Sequence, residues 1–61
     1  MHKTRWFVVI RYTDIWEEDH EREIPCTDKR QAVKREAEMK NTYKHDPMVS
    51  SFVVFSVRRK S

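Results

Sequence analysis

Not one of the 61 residues is glycine. Every reversal of this chain must therefore be made by residues that carry a Cβ, for which positive φ is costly. The two-residue primed turns of tight hairpins normally rely on glycine or asparagine, so a longer, looser hairpin loop is expected. The length fits one domain, residues 1–61, with a thin core, because a chain this short buries only about 60% of its unfolded surface. Cys26 is the single cysteine, so no internal disulfide can form; a lone thiol fits a reducing cytoplasm. No apolar run approaches the roughly 20 residues that cross a bilayer, and none resembles a signal peptide after His2, Lys3, Thr4 and Arg5. The expectation is a cytoplasmic protein with no membrane partner.

The pattern predicts a β-β-α-β order. Arg5 to Tyr12 alternates Trp6, Val8, Ile10 and Tyr12 with Arg5, Phe7, Val9 and Arg11, apolar on both sides as a central strand is. Thr13 to Asp19 reads as a connection with Glu17-Glu18-Asp19 near its tip. His20 to Pro25 reads as an edge strand, polar and ended by a residue that cannot donate to a ladder. A helix begins at Thr27 or Asp28, with Gln31 completing a capping box, and carries a thin apolar side through Ala32, Val33, Ala37, Met39 and Tyr43. Asn41 offers a left-handed end, and Asp46-Pro47 stops any continuation. Ser51 to Arg58 is the third strand. The fold class is α+β: a three-stranded antiparallel sheet, the first strand central, with one helix on one face. Alternation does not decide which face the helix takes. The other face should leave apolar side chains near the surface unless Trp16, arginine stems or the termini fold over it.

The net charge of +3 is unevenly spread. Between Asp14 and Ile24, six acids face one base, Arg22, giving −5 and leaving +8 elsewhere. Separated poles orient a molecule in a partner's field.

Catalytic chemistry has little to work with. Cys26 and the scattered His2, His20 and His45 make no metal-ligand spacing, a glycine-rich phosphate loop is impossible, and Cys26 reads as a small buried residue. The expectation is no enzyme, no metal and no cofactor. Nucleic-acid binding is the rival function. Arg30, Lys34 and Arg35 line one part of the helix, and Arg58, Arg59 and Lys60 form a basic tail. A homodimer through the uncovered sheet face is a third reading.

The aromatic first strand, the acidic hairpin, the Glu23-Ile24-Pro25 entry into a Thr27-Asp28-capped helix and the arginine-ended third strand resemble one family. It is the small T7-type phage inhibitors of bacterial RNA polymerase, and the likeness runs from Trp6 to Arg59. It implies a three-stranded sheet with one helix, and docking on the jaw of the polymerase's largest subunit in the host cytoplasm. By position, Arg58 and Arg59 would take the role of that family's late third-strand arginines, and the acidic hairpin that of its negative strip. The helix-to-strand connection is longer here and the chain more basic. The residues expected to meet a host protein are therefore Arg58, Arg59, Lys60, Trp16, Glu17, Glu18 and Asp19.

Overall fold

In the computed structural model, which describes residues 4–60 and the side chains of 5–59, the chain runs β1 (Thr4–Asp14), β2 (Asp19–Cys26), α1 (Lys29–Lys44) and β3 (Val49–Lys60). The sheet order is β2-β1-β3, both pairings antiparallel, so the first strand is central as expected. The strands outrun their apolar stretches because backbone pairing continues past them, to Thr13 opposite Asp19 and Thr4 opposite Lys60. His2 lies outside the described residues, as does the side chain of Lys60.

The helix takes the Trp6–Tyr12 side of β1. Val8 and Ile10 are fully buried there with Cys26, Ala32, Tyr43 and Val54, flanked by Trp6, Tyr12, Ile24, Met39 and Phe52. Ile10 sits at the middle, opposite Arg22 on β2 and Val54 on β3. Ala32 lets the helix approach closely; Tyr43 closes the far end, packing on Tyr12 and Phe52 and accepting a hydrogen bond from Arg22 at 3.3 Å. Buried or half-buried positions 32, 36, 39 and 43 form a stripe narrower than the sequence pattern. Val33 and Ala37, expected within it, are exposed. Glu36 is tolerated in the stripe because one oxygen accepts from Ser56 and the other meets Lys40.

Asp28 caps the helix, accepting the Gln31 N–H at 2.8 Å, while Gln31 reaches back to the Thr27 N–H and hydroxyl. Such a cap contributes about 1 kcal/mol. At the other end Asn41 is not the terminator. The helix continues to Lys44, and the His45 ring donates from Nδ1 to the Asn41 carbonyl at 2.9 Å. The end thus avoids a left-handed residue; among the described residues only Glu17 has positive φ, at 65°.

The face without a helix is partly covered by arginines. Arg11 lies over the Phe55 ring and pairs with Glu21; Arg59 lies over the Phe7 ring and pairs with Glu23. Between these lids Val9 is only 2% exposed. The arginine stems do what the sequence allowed them to do, whereas Trp16 stays 64% exposed and covers nothing on this face.

Candidate interaction surfaces

The missing glycine shapes the hairpin. Its four-residue loop, 15–18, forces Glu17 into the left-handed region, at a cost of about 1 kcal/mol or more. Asp14 holds it there. This carboxylate is 8% exposed; Oδ1 accepts the Trp16 and Glu18 N–H groups at 2.9 and 3.0 Å, and Oδ2 meets His20 Nε2 at 2.8 Å. The Glu17 N–H donates to the Asp14 carbonyl, and the Ile15 N–H crosses to the Met48 carbonyl, tying the hairpin to the connection before β3. His20 in turn stacks on Tyr12 at 4.8 Å. In the sequence Asp14 is one acid of the connection between the first two strands. The signal available was an Asx position two residues before an N–H it can accept.

Asp14, Glu18 and His20 bring one ligand atom each within 4.8 Å of one another. The lone pairs of Asp14 are already committed to two backbone donors and the imidazole, so the cluster works as the fastening of the loop.

The hydrogen bond with His20 lowers the pKa of Asp14 below 3.8, helped by the Glu18 and Trp16 N–H groups and opposed by burial. A carboxylate whose folded pKa is depressed stabilises the fold above its unfolded pKa and loses that contribution as pH falls through the folded value. Asp14→Asn is therefore expected to melt below the parent protein at neutral pH. The gap between the two melting curves should narrow as pH falls below about 4, the ordinary carboxylate range, and close only below the lowered folded pKa of Asp14, where the parent's carboxyl is protonated in both states. A gap between the curves that stays constant with pH would refute the charged fastening.

The two edges of the sheet differ. The outer edge of β2 carries Glu21, Arg22, Glu23 and Pro25, which obstruct the addition of another strand. On β3, Phe52 to Val57 contains no charge and no proline, and Val53 is 59% exposed. Between this edge and the helix runs a groove of about 510 Å³ lined by Lys40, Asn41, Lys44, Phe52, Val53 and Val54. Val53 is on the opposite sheet face from Phe52 and Val54, so the groove follows the strand's edge. Its floor is apolar and its rim cationic.

The expected contact residues do not form one patch. Arg58 and Arg59 pair with Trp6 and Arg5, at the far end of β1 from the hairpin loop. An 11-residue strand spans about 35 Å, and the molecule measures 44 × 19 × 11 Å, so the acidic tip and the arginine end are opposite poles. Arg58 and Arg59 also point to opposite faces: Arg59 to the open face beside Phe7, Arg58 to the helix side. Trp16, Glu17, Glu18 and Asp19 are all exposed at the tip, with Asp19 accepting the Thr13 hydroxyl. Arg30, Lys34 and Arg35 are exposed on the helix, and Arg35 meets Glu38 at 3.5 Å.

No helix among the described residues is long and apolar enough to cross a membrane. Comparison with protein-family models, curated proteins and solved structures gives no match for this chain.

Proposed function

We propose that the chain is a non-enzymatic docking module that pairs the free edge of β3 with an extended, acidic segment of a partner protein. The observation that carries this reading is the contrast between the edges: β2 is charged and closed by Pro25, whereas six consecutive residues of β3 are unprotected beside a lysine-rimmed groove. Natural sheets obstruct exposed edges, so an unobstructed one next to an apolar groove supports strand addition. Main-chain hydrogen bonds supply affinity in this mode, and the flanking Lys40, Lys44 and Arg58 select for acidic sequence.

Within this reading, the resemblance to phage inhibitors makes bacterial RNA polymerase the first target to try, with the chain acting on transcription in the cytoplasm of a host. Immobilised protein is expected to retain purified bacterial RNA polymerase, and Arg58→Glu combined with Arg59→Glu to lose at least about tenfold in affinity. Retention unchanged by the double substitution would remove the arginines from the contact, and failure to retain polymerase would remove that target.

Nucleic acid is the second reading, favoured by exposed Lys29, Arg30 and Lys34 on the helix, which form no ion pair among the described residues. It requires affinity that falls steeply with salt, by orders of magnitude for several phosphate contacts.

A further inference from the structure

Three large apolar side chains stand out of the surface at the hairpin end: Trp16 at 64% exposure, Ile15 at 51% and Met48 at 44%. They are neighbours along the backbone: Ile15 and Trp16 are consecutive, and the Ile15 N–H donates to the Met48 carbonyl at 3.1 Å. Exposed Glu17, Glu18 and Asp19 ring them on the hairpin side. The projection is also built to hold its shape. Asp14 binds the Trp16 and Glu18 backbone from below, and Glu17 is kept at φ 65° by its N–H bond to the Asp14 carbonyl. A loop that exposes tryptophan, stores strain and uses a buried carboxylate to stay rigid has the marks of a contact element.

The complement of this projection exists on the same molecule. The groove beside β3 has an apolar floor of Phe52, Val53 and Val54 and a cationic rim of Lys40 and Lys44, and no acidic residue lines it. An apolar knob with an acidic collar matches an apolar groove with a basic rim in both hydrophobicity and charge. The two features are also neighbours. Tyr12 pairs with Phe52 and Asp14 with Val49, so knob and groove lie about 10 Å apart along the strands. When complementary patches are adjacent, a two-fold axis between them makes each contact twice and closes the assembly at a dimer.

We infer that the chain forms a reciprocal homodimer in which the Ile15–Trp16 tip of each copy, collared by Glu17 and Glu18, seats in the Lys40–Lys44 and Phe52–Val54 groove of the other. This inference does not depend on the docking function proposed above. It adds a consequence: the dimer covers part of the same β3 edge, so a partner and a second copy compete for it.

Sedimentation equilibrium of the full chain over a wide concentration range tests it. The parent protein is expected to be a monomer–dimer system whose association weakens with salt. Trp16→Ala should weaken dimerisation about tenfold or more, because it removes an exposed aromatic anchor without touching the core. Lys40→Glu with Lys44→Glu should be monomeric, and so should Glu17→Lys with Glu18→Lys. An equimolar mixture of these two charge-reversed variants should associate again, since both of its knob-in-groove contacts pair opposite charges, one in the parent polarity and one reversed. Circular dichroism of each variant distinguishes lost contact from lost fold. A parent protein that stays monomeric at every concentration overturns the inference, as does a dimer that survives all three variants.

Discussion

Replacing Ile10 by alanine is expected to leave the chain largely unfolded at room temperature. Ile10 is fully buried at the centre of the core cluster under the helix, between Arg22 and Val54 in the sheet. Truncating a buried isoleucine costs about 2–5 kcal/mol, because the lost burial and the cavity add. A domain of this size has about 3–9 kcal/mol in total, from roughly 0.05–0.15 kcal/mol per residue. No disulfide supplements it, and the sheet has only three strands, so little remains to absorb the loss. Urea unfolding followed by circular dichroism should show a transition near zero denaturant, whereas Val33→Ala, exposed on the helix, should barely move the midpoint. An unchanged midpoint for Ile10→Ala would mean that the helix does not pack where it is described.

The second large effect concerns binding. Val53→Lys places a charge on the unprotected stretch of β3 without entering the core, since Val53 is 59% exposed. An added edge lysine is how natural sheets discourage strand pairing. It also strips apolar surface from the groove floor. Partner capture should fall below detection, while the thermal midpoint stays within a few degrees, because exposed substitutions change stability by about 0.5 kcal/mol at most. Glu21→Lys on the β2 edge is the matched control. It disturbs only the exposed pair with Arg11, worth about 0–1 kcal/mol, and should leave capture intact.

The sheet was legible because strand periodicity is local. Two-sided apolar alternation at Trp6–Tyr12 and charged alternation ending at Pro25 made β1 central and β2 an edge, and Asp28 with Gln31 marked the helix start. The helix end was misread at Asn41, because the residue that closes it, His45, does so by a side-chain bond to a carbonyl four residues back, which no composition rule announces. The choice of helix face was illegible for a related reason. Phe7 and Val9 are as apolar as Val8 and Ile10, and only the register that sets Arg11 over Phe55 and Arg59 over Phe7 shows how that face is covered without a helix. The site was legible as charge and illegible as geometry. The acidic run and the terminal arginines were visible, but their separation to opposite poles follows from antiparallel register. So does the groove between Lys40–Lys44 and Phe52–Val54, whose residues lie on two elements.

The central claim is that β3, and not β2, is the edge that meets a partner. Affinity capture from nuclease-treated bacterial lysate, run side by side with the parent chain, Val53→Lys and Glu21→Lys, tests it most directly. The account predicts one protein retained by the parent and by Glu21→Lys and absent with Val53→Lys. Retention of the same protein by all three chains, or its loss with Glu21→Lys alone, would contradict it.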